Sequence, residues 1–228
     1  MVRGSLGDMK TIPTIDHFLY GDIRTYKNNR LSHWNVPNGI YFVTFNVADA
    51  LPAPMLAKLR NERETIRNTL RASRGRLTPQ EQNAISLFFI EECESELDRG
   101  RGSCIFRNAA AAGLMRDVLH HFNHERYELF TWSIMPNHLH VIFQLLVSHN
   151  IDAVMHSWKS YSSKEQNRIL GREGQLWQEG YFDRTIRNRD ELKSKIAYVL
   201  NNPARAGLAD WPWVWSSPEA IAAVVGHL

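Results

Sequence analysis

Two apolar runs, RYELFTWSIM (126–135) and HLHVIFQLLV (138–147), meet across the dipeptide Pro136-Asn137. Both are rich in the aromatic and β-branched residues that favour strands. A connection this short leaves the two strands no choice but to pair as antiparallel neighbours in a hairpin. The second strand carries His138 and His140. Side chains alternate faces along a strand, so both imidazoles point to one side while Leu139 and Val141 point to the other. Two imidazoles one residue apart are either polar residues tolerated at the strand's mouth or a pair aimed at one ion.

The remaining elements are read around this hairpin. GIYFVTFNVAD (39–49) alternates aromatic and β-branched residues and is expected as a further strand. Residues of about 52–106 have helical periods and few β-branched positions, which suggests a helical insertion. Within it, Arg60, Arg63, Arg67, Arg71 and Arg74 recur every three or four residues, as a solvated helix face or a phosphate-tracking stripe. The acidic run EECESELD (91–98) follows, with no role assigned. Helices are expected over 108–125, capped by Asn108, and over 150–170, with Ile151, Val154, Met155, Trp158 and Tyr161 on one face. Residues 171–188 read as a Gly-punctuated loop with short extended pieces. A last helix over 189–203 is expected to stop at Pro203, and the tail from about 209 reads as irregular and aromatic. The order strand, helix, strand, strand, helix gives an α+β fold: a ferredoxin or RNA-recognition-like antiparallel sheet with helices packed on one face, plus the insertion, in a single domain spanning 1–228.

Composition narrows the class. The chain has 228 residues, 43% hydrophobic and 22% charged, as expected of a globular domain with a real core. No apolar window is long enough to cross a membrane, and the first residues lack an apolar leader. Cys93 and Cys104 have no metal-type spacing and read as free thiols. A cytoplasmic protein is the expectation. The net charge of +3 neither demands nor excludes nucleic acid.

Taken alone, His138 and His140 are weak evidence, since ten histidines placed at random give roughly 0.4 His-x-His pairs. The group His120, His121 and His124 lacks the glutamate of a His-Glu-x-x-His zinc site. A histidine-triad hydrolase is disfavoured because Ile142 stands where a third histidine belongs. The helix containing IAYVLNNPARAGL supplies what the pair lacks. Tyr198 and Asn202 are four residues apart and share a face, so a phenol and an amide oxygen can approach one ion. A free phenol, with a pKa of about 10, needs help in losing its proton before it can attack. A divalent ion on two imidazoles and an amide keeps open positions for phosphate oxygens, and such a set favours Mn²⁺ over Mg²⁺. Tyr161 and Tyr181 are competing nucleophiles, and a packed core tyrosine is the plain alternative for Tyr198.

MPNHLHVIF (135–143), the stretch from WKSYSSKEQ to YFDRTIRN (158–188) and YVLNNPARAGL (198–208) resemble, in order and separation, the REP-associated tyrosine transposases. These are a branch of the HUH (His-hydrophobic-His) single-tyrosine transposases. RLSHWNVPNGIYFVTFNVADALP (30–52) is similar to the opening of a longer subgroup. The resemblance implies that His138 and His140 bind Mg²⁺ or Mn²⁺, with Asn202, or the adjacent Asn201, as third ligand. It implies that Tyr198 attacks single-stranded DNA beside REP-like hairpins and becomes linked to the 5′ phosphate, with no nucleotide cofactor. Lys159, Lys164, Arg184 and Arg187 are then candidate phosphate contacts, and Trp177 and Tyr181 candidate base-stacking residues, with a core position equally open to Trp177. The expected partner is single-stranded or hairpin DNA, bound by a monomer or homodimer associated with the nucleoid. Two rival readings are a hairpin-binding protein that no longer cleaves and a metal-dependent phosphodiesterase that uses water.

Overall fold

The computed structural model describes residues 24–28, 31–36, 38–76, 85 and 91–225. A first hairpin pairs β1 (Arg24–Asn28) with β2 (Leu31–Asn35). The main sheet is built from β3 (Ile40–Asn46), β4 (Tyr127–Ile134), β5 (His138–Leu145), β6 (Phe182–Thr185) and β7 (Val214–Ser216). Its order is β6-β3-β5-β4-β7 and every pairing is antiparallel. The α+β class with a central antiparallel sheet is therefore as the sequence implied.

The β4–β5 hairpin turns through Pro136 and Asn137, closed by the Met135 amide donating to the His138 carbonyl at 2.8 Å. The turn is held from outside as well. Phe106 N donates to the Pro136 carbonyl at 3.1 Å, and Val47 N donates to the Asn137 carbonyl at 2.9 Å. A register shift between Leu129 and Thr131 in β4 keeps Trp132 and Ile134 on the face of Val141 and Leu139.

Strand alternation separates two cores. Tyr41, Val43 and Phe45 join Leu139, Val141 and Phe143 on one face, beneath α3 (Ala109–His121) and α4 (Ile151–Leu170). Ile40, Phe42, Phe130 and Ile142 lie on the other, beneath α5 (Arg189–Arg205) and Ala220 of α6 (Pro218–Val225). Helices α3 and α4 supply the one-faced cover expected from the sequence, and α5 adds cover over the face that carries the histidines. The Asn108 side chain caps α3 by accepting from Ala110 N and Ala111 N, and Asn150 caps α4 by accepting from Ala153 N.

The expected insertion contains helix α1 (Ala53–Arg74) and a helical stretch over 91–98, here α2. Cys93 and Leu97 of α2 are buried in the larger core. Three expectations need correction. Pro203 does not end α5: it removes only the N–H that would reach Val199, and the helix runs on to Arg205. The tail is not merely irregular, because Val214–Ser216 pair with the open edge of β4 as β7 and α6 follows. The stretch 171–188 contains an edge strand, β6, on β3. Among the described residues, no helix is long and apolar enough to cross a membrane.

Candidate active site

Helix α5 presents Leu192, Ile196 and Val199 to the smaller core at helical spacing. Asn202 continues that buried stripe, and Tyr198 lies at its margin, half-buried. The stripe therefore delivers the phenol over β5. The Tyr198 ring packs edge-on against His140, with centroids 5.4 Å apart, and edge-on against Phe42 at 5.9 Å. The sequence-predicted pair and the sequence-predicted tyrosine are thus adjacent.

Both imidazoles are fully buried, and their Nε2 atoms lie 3.1 Å apart. Burial drives His138 down to about 3. Burial also drives His140 well below the ordinary histidine range, with His138, Lys195 and Arg205 adding to the effect. At neutral pH both rings are neutral, the form that binds metal.

The tautomer of His138 follows from its surroundings. Asn137 Nδ2 donates to the Arg101 carbonyl at 2.8 Å, so Asn137 Oδ1 faces His138 Nδ1, 2.7 Å away, and must accept from it. The Nε2 lone pair of His138 is therefore directed at His140. On the other side, His140 Nδ1 lies 2.8 Å from Thr44 Oγ1, whose hydroxyl donates to Glu94 Oε1 at 3.5 Å. With that hydroxyl proton on Glu94, His140 Nδ1–H donates to Thr44 and a second Nε2 lone pair enters the same space. Two lone pairs 3.1 Å apart favour a cation between them.

The acidic run left without a role in the sequence supplies the missing charge. Asp98 Oδ1 lies 3.7 Å from His138 Nε2, and one ligand atom from each of Asp98, His138 and His140 falls within 4.8 Å of the others. Oxygen and nitrogen ligands held at about 2.1 Å from one ion stand about 3 Å apart when adjacent, so this cluster has the right scale. Burial raises the Asp98 carboxyl, while Arg205 and the neighbouring Asn202 amide oppose that rise. Asn202 is wholly buried, yet neither its Oδ1 nor its Nδ2 has a hydrogen-bond partner, and Asp98 Oδ1 has none either. Orphaned buried polar atoms cost about 1–3 kcal/mol each, which an ion would relieve. Asn201, the alternative third ligand, is exposed. The donor set fits one divalent ion.

Glu94, one turn before Asp98 on α2, accepts the Tyr198 hydroxyl at 2.9 Å through Oε2. Burial, with the charge and the hydrogen bond of Glu94 added, raises the phenol well above its ordinary range. The Lys195 ammonium lies 5.2 Å from the centre of the Tyr198 ring and the Arg205 guanidinium 4.9 Å from it. Glu94, Asp98, Lys195, Arg205 and Thr44 were all missed by the sequence reading. Only the four-residue spacing of Glu94 and Asp98, which places them on one helical face, signalled a shared target.

The proposed DNA contacts scatter. Of its two readings Trp177 takes the core one: it packs between Phe45 and Phe106 and donates Nε1–H to Ser162 Oγ, leaving no ring face for a base. Lys159 donates to the Gln178 and Gly180 carbonyls at 2.7 and 2.6 Å, so it ties the loop to α4 rather than standing free for a phosphate. Tyr181 donates to Asp152 Oδ1 at 2.6 Å and packs on the larger core, on the sheet face opposite the histidines. Arg184 is ion-paired with Glu191. Lys164, Arg187 and the competing Tyr161 are exposed. In the second histidine group, His120 Nε2 accepts from Trp132 Nε1 at 3.0 Å and His124 Nδ1 meets Glu128 at 2.6 Å.

Residues 105–202 match the family described as IS200-like transposases, a span containing His138, His140, Tyr198 and Asn202 but not Glu94 or Asp98. The chain is 25% identical over 91 residues to the REP-associated tyrosine transposase of Escherichia coli K12, covering 38% of this chain and 53% of that one. It is 25% identical over 104 residues to a Haemophilus influenzae protein provisionally named the same way, covering 40% and 59%. The chain thus spans little more than half the length of the curated relatives it matches. A solved structure of a REP-associated tyrosine transposase bound to a REP hairpin is similar at a TM-score of 0.46 and 15% identity, covering 83% of this chain and 82% of that one. Over residues 105–202 the chain is similar to the IS200-like transposases, and it resembles the REP-associated tyrosine transposases.

Proposed function

We propose that this protein is a metal-dependent single-strand DNA endonuclease and strand transferase, acting beside REP-like hairpins through a covalent 5′-phosphotyrosine. The observation that carries the reading is the contact between Tyr198 and the buried His138–His140 pair, which joins a nucleophile to a set of metal-type donors. His138, His140 and Asp98, with the Asn202 amide beside them, would hold one Mg²⁺ or Mn²⁺, which when bound supplies Lewis-acid polarisation of a phosphodiester oxygen.

The chain's own groups account for the rest. Helix α5 fixes the phenol at the edge of His140 so that little rotamer freedom is lost on attack. Lys195 and Arg205 flank the phenol and offset negative charge on a phosphate drawn to it. A phosphotyrosine link keeps the energy of the broken phosphodiester, so rejoining needs no nucleotide.

The test is incubation with a labelled single-stranded hairpin oligonucleotide and Mn²⁺, followed by denaturing electrophoresis. A denaturant-stable adduct is expected from the wild type and none from Tyr198→Phe. Cleavage that persists in Tyr198→Phe would transfer the reaction to water, and binding without cleavage would make the protein a hairpin-binding module.

A further inference from the structure

Helix α2 lies outside the span shared with the IS200-like family, yet one of its faces turns two carboxylates toward the site. Asp98 joins the histidines. Glu94 does something different: it touches the oxygen that attacks. Its Oε2 accepts the Tyr198 hydroxyl at 2.9 Å, within the 2.6–3.2 Å reach of a general base, while its Oε1 accepts from Thr44 at 3.5 Å. Both oxygens are thus held, and the residue is only 7% exposed. Among the described residues, no other carboxylate hydrogen-bonds to this phenol.

We infer that Glu94 is the proton acceptor for Tyr198, so that the segment inserted before residue 105 supplies a catalytic residue to the family's core. The inference rests on the proposed transesterification. In the forward step the phenolic proton passes to Glu94 Oε2 as the phenol oxygen bonds to phosphorus. The bond from phosphorus to the 3′ oxygen breaks, and its electron pair leaves with that oxygen, which takes a proton from solvent. In the return step a 3′ hydroxyl attacks and releases its proton to solvent, the bond to the tyrosine oxygen breaks, and Glu94 returns its proton to that oxygen. Lys195 and Arg205 from α5 and Asp98 from α2 are the charged groups around Glu94. Burial, the largest influence, raises the Glu94 carboxyl and Asp98 adds to the rise, while the hydrogen bond from Tyr198 and the two cations oppose it.

The experiment follows adduct formation under single-turnover conditions for wild type, Glu94→Gln and Glu94→Asp, with Mn²⁺ and oligonucleotide affinities and melting temperatures measured alongside. Glu94→Gln is expected to slow adduct formation by about 10²–10³-fold while oligonucleotide and Mn²⁺ affinities stay within about twofold. Its rate should rise about tenfold per pH unit with hydroxide, where the wild-type rate levels off. Glu94→Asp should recover at least about tenfold over Glu94→Gln. An adduct formed by Glu94→Gln at the wild-type rate, with the wild-type pH profile, overturns Glu94's role and leaves Tyr198's intact. Equal losses in both variants, together with lost Mn²⁺ affinity or a lower melting temperature, reduce Glu94 to a structural support and overturn the inference. No adduct from the wild type overturns the transesterification and Glu94's role together.

Discussion

At the scale of single residues, the site is defined by where protons are refused. His138 is fully buried and held at about 3, far below the 6.5 of a free imidazole, because desolvation penalises its charged form. In the unfolded chain it regains its ordinary pKa. Its contribution to stability is therefore whole above pH 6.5 and declines as the pH falls from there toward 3, because the unfolded state takes up a proton the folded state rejects. By pH 5 the loss is about 2 kcal/mol. Glu94 and Asp98, raised by burial, act with the opposite sign. The comparison must therefore isolate the imidazole: in EDTA, the melting temperature of wild type should fall more steeply from pH 7.5 to 5 than that of His138→Gln. Parallel slopes for the two proteins would show that His138 is not held neutral by burial.

At the scale of elements, α5 is both a packing helix and the carrier of the nucleophile. Its first turn is fixed by the Asn188 side chain, which accepts from Glu191 N at 2.8 Å, and Glu191 in turn pairs with Arg184 on the edge strand β6. Capping of this type contributes about 1 kcal/mol. Asn188→Ala is expected to lower the melting temperature by about 2–4 °C. Tyr198 lies more than two turns further on, held by Ile196 and Val199 in the smaller core. Fraying at the start of α5 should thus leave the adduct-forming rate per folded molecule within about twofold. A large loss of rate would mean that the whole helix, and not its first turn, depends on the cap. The hairpin turn shows the same logic. Gly102, at φ +84°, comes so close to Asp49 that a Cβ would lie 2.6 Å from the Asp49 carbonyl oxygen. That close approach sets the loop whose Arg101 carbonyl orients Asn137, and through it His138.

At the scale of the molecule, the two cores divide the labour. The larger one, on the α3–α4 face, holds most of the buried aromatic residues, while the smaller one floors the site. Trp177 belongs to the first, wedged against Phe45 and Phe106. Trp177→Ala should cost about 3–5 kcal/mol, read as a shift in the urea midpoint. A drop in hairpin affinity without a shift in that midpoint would restore Trp177 to a base-stacking role.

The sequence by itself determined the parts that depend on local periodicity and turn chemistry. Pro136-Asn137 between two apolar runs forced the hairpin, strand alternation put His138 and His140 on one side, and helical spacing put Tyr198 with Asn202. Asn108 announced its helix as a cap. What only the tertiary structure decided is which distant groups share that face. Glu94 and Asp98 come from a segment whose charges look like any solvated helix, and Trp177 and Lys159 carry side chains that suit DNA and protein interiors equally well. Their roles are set by burial and by partners 15 to more than 100 residues away, as in the Tyr198–Glu94 contact. Chain proximity in space is fixed by the packing of whole elements, and no local pattern along the sequence encodes it.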